Sequence, residues 1–261
     1  MFFNNIYYEQ YGEGETILLI HGWMHDHTTY YQILDNLKLN YKVILIDLPG
    51  FGNSIIENAE GNLLNYLTKS VYNFITEQKL SLNTIIGHSM GGIICLKMLK
   101  EFNLTVDNLI ILDSPYDKLP IFFKTVSKLK AINNFLIGFQ KKYPLSKRKK
   151  LVHLGTKLTI KDLSVLDDNF YNALYKANPI IASKLFYELG NQSVVLDFKP
   201  NIKKSLVVRG EGDLIATKKV LQKLADFLGC KLIEIKNISH TPTLEAPKEL
   251  EKIIIDFLEG K

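Results

Sequence analysis

Residues 84–92, Thr-Ile-Ile-Gly-His-Ser-Met-Gly-Gly, decide the fold of this chain. A short β-branched run precedes the first glycine, and an apolar run from Ile93 to Phe102 follows the last. The order strand, G-x-S-x-G, helix is typical of a nucleophile elbow, a tight turn that presents a serine hydroxyl to solvent. Gly87 and Gly91 have no Cβ, so a strand and a helix can approach each other closely on either side of Ser89.

The same glycine-rich helix start has an alternative interpretation, because such a turn can also bind phosphate. However, the Lys-Ser/Thr ending of a P-loop is absent, and so is G-x-G-x-x-G. The motif therefore favours a nucleophilic serine, provided that the rest of the chain supplies partners for its hydroxyl.

The composition is that of a globular protein with one large domain, or with a core and an inserted piece. The chain has 261 residues, 46% hydrophobic and 23% charged. Two cysteines, Cys95 and Cys230, do not make a disulfide framework and fit a reducing compartment. The N-terminus does not read as a signal peptide, and no uncharged apolar run reaches transmembrane length. We therefore expect a cytoplasmic protein with no membrane span.

The net charge of +5 is unevenly distributed along the chain. Residues 115–200 hold 15 Lys or Arg against 6 Asp or Glu, and residues 118–150 hold ten basic residues and no acidic one. This segment either docks an anionic partner or is a solvated face of a lysine-rich protein. We expect no nucleic-acid partner.

Strand-like and helix-like segments alternate over the first 114 residues. The buried-strand candidates are residues 16–20, 43–46, 84–86 and 109–112. Helical patterns with one apolar face lie between them, at residues 30–37 and 63–75. This alternation predicts the α/β class, with a mostly parallel sheet flanked by helices.

The alternation stops after Asp113 and resumes near residue 205. Residues 115–200 look helical, and only Val194–Leu196 is strand-like. Strand candidates then follow at 205–208 and 231–235, with helices beginning after Thr217 and at Pro247. We therefore predict a core of residues 1–114 and 201–261 that is interrupted by a helical cap, residues 115–200.

A serine nucleophile needs a base within hydrogen-bonding reach. Among six histidines, His240 fits because it follows the last strand candidate by a short loop, at the sheet edge where the carboxyl ends of parallel strands meet. The side chain of His88 should point away from Ser89, and His21 better fits a structural role beneath the site.

The base needs an orienting carboxylate, for which the chain offers two candidates. Asp213 follows the 205–208 strand in a Gly-Glu-Gly-Asp turn, and Asp113 ends the strand before it. The chain order Ser89, Asp213, His240 is the order expected for this type of elbow, which favours Asp213.

Two backbone N–H groups should stabilise the oxyanion of an acyl-transfer reaction. We expect one from Met90, at the helix start, and the other from Trp23, with Met24 as the substitute. The Trp23 indole should also wall the substrate pocket, unless it only packs. The nearby His-Asp-His at residues 25–27 is a weak indication of a metal site.

Together these motifs resemble the α/β-hydrolase superfamily, in its small esterase-like branch. The resemblance implies an eight-stranded, mostly parallel sheet with a helical cap after the sixth strand. It also implies that Ser89, Asp213 and His240 are nucleophile, acid and base. Ser239 and Thr217 stand where the family commonly has glycine and proline. These two differences affect the shape of the loops and not the chemistry. The matching segments are His21-Gly22, residues 47–54 (Asp-Leu-Pro-Gly-Phe-Gly-Asn-Ser), the elbow, residues 210–213, His240, Glu245 and Pro247.

We therefore predict hydrolysis of a small carboxylic ester through an acyl-enzyme, without a metal or organic cofactor. The cap should select the substrate with its apolar residues, among them Phe122 and Phe123. A sharper hypothesis is a methyl ester esterase for carrier-bound acyl chains, with an acidic acyl carrier protein docked on Lys147, Arg148, Lys149 and Lys150.

Several other functions share these residues. Carbon–carbon bond hydrolysis, perhydrolysis and lactone or thioester cleavage use the same triad. A slow-turnover ligand receptor on this fold would belong to a different class.

Overall fold

A computed structural model describes residues 1–56, 61–117, 119–129, 152–153, 155–157 and 159–261. Their core is one eight-stranded sheet in the order β1-β2-β4-β3-β5-β6-β7-β8. The strands are β1 (Phe2–Phe3), β2 (Ile6–Tyr11), β3 (Glu15–Ile20), β4 (Tyr41–Ile46), β5 (Leu82–His88), β6 (Asn108–Leu112), β7 (Lys204–Gly210) and β8 (Leu232–Ile235). The β1–β2 and β2–β4 pairs are antiparallel, and the other neighbours are parallel. The predicted α/β class and mostly parallel sheet are confirmed.

Helices cover both faces of the sheet. They are α1 (Leu34–Asn40), α2 (Leu63–Glu77), α3 (Met90–Glu101), α4 (Ile121–Lys128), α5 (Asp168–Lys176), α6 (Pro179–Asn191), α7 (Lys218–Leu228), α8 (Pro242–Glu245) and α9 (Pro247–Glu259), with 3₁₀ turns at His27–Ile33 and Leu163–Val165. Helices α2, α3 and α7 pack on one face, and α1 and α9 on the other. Because both faces are covered, the inner strands are continuous apolar runs without alternation.

The first two strands have no continuous apolar run that would predict them from the sequence. Strand β2 reads Ile-Tyr-Tyr-Glu-Gln-Tyr and is half-buried over most of its length, and β1 is a two-residue edge. An antiparallel strand near a sheet edge need not be apolar on both sides, so its sequence lacks the buried run that marks β3 to β7.

The connection from β6 to β7 contains α4, α5 and α6. The strand interpretation of Val194–Leu196 is wrong: this segment lies outside the sheet, and the Val194 amide donates to the Tyr116 carbonyl, 2.8 Å. Strand β6 pairs directly with β7, so no sheet position remains between them. The division into core and cap stays a prediction, and Lys147–Lys150 lie outside the described residues.

No helix in the described part of the chain combines the length and the apolar character that a membrane crossing requires. The cytoplasmic location stays a prediction.

Candidate active site

Ser89 occupies the turn between β5 and α3 in a strained conformation. Its φ is 51° and its ψ is −116°, a backbone state that side chains other than glycine rarely adopt. Two hydrogen bonds hold the turn: the Ser89 amide donates to the Leu112 carbonyl, 2.9 Å, and the Ser114 hydroxyl donates to the Ser89 carbonyl, 2.8 Å. The serine is therefore fixed by the ends of two adjacent strands.

The glycines around Ser89 are required by space. A Cβ on Gly87 would lie 2.5 Å from the Gly92 nitrogen, and a Cβ on Gly91 would lie 2.1 Å from the Ile20 carbonyl oxygen. Both positions are well inside van der Waals contact with backbone, so no larger residue fits without moving the sheet or the helix.

The structure brings Ser89, His240 and Asp213 together by hydrogen bonds. The Ser89 Oγ lies 2.9 Å from His240 Nε2, and His240 Nδ1 lies 2.8 Å from Asp213 Oδ2. Asp213 and His240 are both buried. With the proton on Nδ1, the imidazole donates to the carboxylate and its Nε2 can accept the serine proton.

The loop after β7 fixes the Asp213 carboxylate. Its Oδ1 accepts from the amides of Ile215, 2.7 Å, and Ala216, 3.2 Å. The buried Arg209 donates to the Asp213 carbonyl, 3.1 Å, and pairs with Glu234 of β8. Burial acts to raise the pKa of Asp213. The charge of His240 and the hydrogen bond that His240 donates outweigh burial and hold this pKa below its usual range. Asp213 is therefore an anion at neutral pH.

Glu245 organises the loop that carries His240. Its Oε2 accepts from the amides on both sides of the histidine, Ser239 at 3.0 Å and Thr241 at 3.3 Å. A carboxylate that bonds two amides so close in sequence restricts the backbone between them. The sequence alone predicts no role for Glu245, although this residue is one of the positions that resemble the α/β-hydrolase superfamily.

A segment of the predicted cap also contacts this loop. The His240 amide donates to the Thr159 carbonyl, 3.0 Å, and the Lys161 amide donates to Glu245 Oε1, 2.7 Å. Neither contact has a signal in the sequence, because they join residues about 80 positions apart.

The two other histidines next to Ser89 have structural partners. His88 Nε2 lies 2.8 Å from the His240 carbonyl oxygen, and burial lowers the pKa of His88 to about 3, so it donates there as a neutral imidazole. His21 Nε2 accepts from the Leu48 amide, 2.9 Å, which ties the loop after β3 to the loop after β4.

The loop after β3 places Trp23 and Met24 beside the elbow. A Cβ on Gly22 would lie 3.2 Å from the Ser89 Cβ, and Met24 has a φ of 63°. The Trp23 indole donates to the Ala182 carbonyl on α6, 2.8 Å, and stacks on Phe186 at 5.0 Å. The indole thus joins this loop to α6, while the oxyanion roles of the Trp23 and Met90 amides stay predictions.

The substrate contacts expected from Phe122 and Phe123 also stay predictions. Both lie on α4, where their rings meet edge to face at 5.4 Å. Phe122 is exposed.

The imidazoles of His25 and His27 face different partners and do not converge on one metal position. His25 Nδ1 lies 3.1 Å from the Thr29 hydroxyl. His27 turns the other way, with Nδ1 2.7 Å from Asp47 Oδ1 and Nε2 3.3 Å from Glu9 Oε1. The nitrogens of His27 are therefore occupied by carboxylates.

Two curated proteins are similar to this chain over different lengths. A pimeloyl-[acyl-carrier protein] methyl ester esterase of Legionella pneumophila is 33% identical over 110 residues, which span 42% of each chain. The protein of the same name from Wigglesworthia glossinidia brevipalpis is 25% identical over 259 residues, 95% of each chain.

Solved structures are similar over nearly the whole chain. A thermophilic esterase from Thermogutta terrifontis superposes with a TM-score of 0.78 at 17% identity, covering 98% of this chain and 93% of that one. An esterase from Exiguobacterium antarcticum gives 0.74 at 18%, covering 97% and 95%. These likenesses show the fold, and a family model described as alpha/beta hydrolase fold matches residues 15–247. The chain belongs to the alpha/beta hydrolase fold family.

Proposed function

We propose that the protein is a serine hydrolase that cleaves carboxylic esters through an acyl-enzyme. The observation that carries this proposal is the continuous line of hydrogen bonds from Ser89 through His240 to Asp213. A serine hydroxyl is a weak nucleophile until a base accepts its proton, and a carboxylate behind the base stabilises the imidazolium that forms.

The reaction would proceed in two halves. His240 Nε2 takes the proton of Ser89, whose Oγ attacks the ester carbonyl, and the Trp23 and Met90 amides hold the oxyanion. The tetrahedral intermediate collapses, the bond to the alkoxy oxygen breaks, and His240 gives its proton to the leaving alcohol. Water then attacks the acyl-enzyme with the same base, releasing the acid and restoring Ser89. No step in this scheme needs a metal or an organic cofactor.

The test is labelling with a fluorophosphonate, which reacts with an activated serine. The wild-type protein should be labelled at Ser89, and Ser89→Ala should lose both labelling and turnover of p-nitrophenyl esters. Ser81→Ala is the matched control, because Ser81 is exposed on the loop before β5. Unchanged turnover in Ser89→Ala would overturn the proposal.

A second candidate is the methyl ester of an acyl group on an acidic carrier protein. Two observations favour it: the relatives are named as pimeloyl-[acyl-carrier protein] methyl ester esterases, and residues 118–150 hold ten basic residues with no acid. A basic surface speeds encounter with an acidic partner and makes it sensitive to salt.

This candidate is tested by replacing Lys147, Arg148, Lys149 and Lys150 with Ala. Turnover of an acyl-carrier methyl ester should fall and lose its salt dependence, while turnover of a p-nitrophenyl ester is unaffected. The matched control replaces four exposed lysines outside the segment, Lys219, Lys223, Lys231 and Lys248. Equal losses in both quadruple variants would exclude a specific docking role.

The other reactions of this triad are separated by a substrate panel. Diketones, lactones, thioesters and peracid formation would each be assayed beside the ester series, with Ser89→Ala as the blank. A burst without further turnover on every substrate would indicate the slow ligand receptor instead.

A further inference from the structure

Asp113 is a fully buried acid that the ester mechanism does not use. It follows β6 with a φ of 43°, and its Oδ1 accepts from the Gly210 amide, 2.9 Å. Its other oxygen, Oδ2, is buried and has no hydrogen-bond partner in the described part of the chain. One oxygen of Asp113, one of Asp213 and one nitrogen of His240 lie within 4.8 Å of one another.

Two buried carboxyl groups this close cannot both carry a negative charge at neutral pH. The hydrogen bonds decide which one is ionised. Asp213 accepts from the amides of Ile215 and Ala216 and from His240, whereas the described residues give Asp113 a single donor, the Gly210 amide. Donors stabilise an anion, so the charge resides on Asp213 and the proton on Asp113.

We propose that Asp113 is a protonated positioning residue, whose neutral carboxyl group donates its proton toward Asp213 and fixes that carboxylate behind His240. The proton is placed on Oδ2, the oxygen that lacks a hydrogen-bond partner among the described residues, and a carboxylate oxygen of Asp213 lies within 4.8 Å of an oxygen of Asp113. The proton gives the buried Oδ2 of Asp113 a hydrogen-bonding role, and it keeps a second negative charge away from Asp213 and His240.

The charges around Asp113 act in opposite directions. Burial and the charge of Asp213 raise the pKa of Asp113 well above its usual range, while the Gly210 amide and the Arg209 guanidinium oppose this. Arg209 cannot dominate, because it is already paired with Glu234 and with the Asp213 carbonyl. The remaining facing group, His240, is bonded to Asp213.

The first test reads the protonation state without any substrate. Infrared spectra of unliganded protein labelled in its aspartate carboxyl groups should show a protonated carboxyl band at neutral pH. That band should be absent in Asp113→Asn and present in the wild type. A wild-type spectrum identical to that of Asp113→Asn in this region, or a band that is lost only in Asp213→Asn, would overturn the assignment.

The second test reads the positioning role and rests on the proposed ester hydrolysis. Asparagine can reproduce both contacts of a neutral Asp113, accepting from Gly210 and donating to Asp213, so Asp113→Asn should keep most of kcat. Asp113→Ala should lose about tenfold in kcat at similar KM, by analogy with groups that orient the ligands of a catalytic metal, because the Asp213 carboxylate then lacks one of its donors. Equal kcat losses in both variants would show that the carboxyl group itself is needed and contradict the proposal. If the infrared band is found but no ester is cleaved, the proposed function fails and the assignment of Asp113 stands.

Discussion

Two histidines in this molecule are bonded to aspartate in nearly the same way, and only one faces a serine. His240 Nδ1 lies 2.8 Å from Asp213, and His27 Nδ1 lies 2.7 Å from Asp47. The difference is at Nε2, which meets the Ser89 hydroxyl in the first case and the Glu9 carboxylate in the second.

That second partner determines what each imidazole can do. A hydroxyl can give its proton to a neutral imidazole, so His240 is placed to act as a base. A carboxylate on each side of His27 favours its imidazolium form. Burial acts to lower the pKa of His27, but Asp47, with Asp26 and Glu9, raises it above the ordinary value. A His–Asp pair alone is therefore no indication of catalysis.

The surroundings of Glu9 complete the contrast. Three tyrosine hydroxyls donate to its carboxylate: Tyr7 at 2.8 Å, Tyr11 at 2.6 Å and Tyr31 at 2.8 Å. The three tyrosines satisfy the Glu9 carboxylate, and both nitrogens of His27 face carboxylates. His27 therefore has no hydroxyl partner from which it could take a proton. The cluster joins β2 to the 3₁₀ turn after β3 and to the loop after β4, which is a structural arrangement.

The comparison is tested most strongly by removing each imidazole. His240→Ala should lower kcat for a p-nitrophenyl ester by about 10⁴–10⁶-fold, since the base is lost. His27→Ala should keep kcat within about threefold at temperatures where it is folded, and lower Tm, because the buried Asp47 and the half-buried Glu9 lose the imidazole that they share. Kinetics and thermal unfolding on both variants measure this. Comparable kcat losses in the two folded variants would break the distinction.

The same isosteric change at each aspartate should separate orientation from stability. Asp213→Asn should lower kcat by about 10⁴-fold with an intact fold, because an amide favours the wrong tautomer of His240. Asp47→Asn should instead lower the free energy of unfolding by about 3 kcal/mol, because Asp47 also accepts from the amides of His27 and Asn53. Denaturant unfolding and kcat are measured for both. An Asp47→Asn protein with wild-type stability would contradict the structural role.

Stability should depend on pH through His27 on the alkaline side. The pKa of His27 is raised in the folded state. Its contribution to the free energy of unfolding is therefore complete below its pKa in the unfolded chain, about 6.5, and is lost as pH rises through its pKa in the folded protein. Burial acts to raise the pKa of Asp47 and of Glu9, but their hydrogen bonds and the charge of His27 lower both. The two carboxylates therefore stabilise the folded protein at neutral pH, and this stabilisation is lost as pH falls through their pKa values in the folded protein. Tm of the wild type should decline from neutral toward alkaline pH more than Tm of His27→Gln. Parallel curves for the two proteins would exclude this assignment.

The sheet and the elbow could be predicted because their signals are local. Buried parallel strands are short apolar runs, and the predicted run 109–112 differs from β6 by one residue at its start. The elbow needs glycine beside Ser89 for steric reasons that hold wherever strand and helix meet. Asp213 and His240 could be predicted as candidate acid and base because each follows a recognisable strand, and the carboxyl ends of parallel strands meet at one edge of the sheet.

The sequence offers both Asp113 and Asp213 as candidates behind His240, but it does not indicate that the two carboxyl groups contact each other, and it gives no sign of the His27 cluster, because both depend on contacts through space. Asp113 and Asp213 are 100 positions apart in sequence and become neighbours only through the parallel register of β6 and β7. Glu9 lies opposite Leu45 in the antiparallel β2–β4 register, which brings it near Asp47. No spacing rule in the sequence indicates either register.

The smallest effect we expect concerns the loop that holds His240. Glu245→Gln keeps the shape of the side chain but replaces the charged acceptor of the Ser239, Thr241 and Lys161 amides. Weaker charge-assisted bonds should let His240 depart from Ser89, lowering kcat by about tenfold at similar KM. The control is Glu249→Gln, which changes an exposed glutamate in the first turn of α9 and should leave kcat unaltered. If both glutamine variants match the wild type, the backbone bond from His240 to Thr159 is sufficient to hold the loop, and Glu245 has no positioning role.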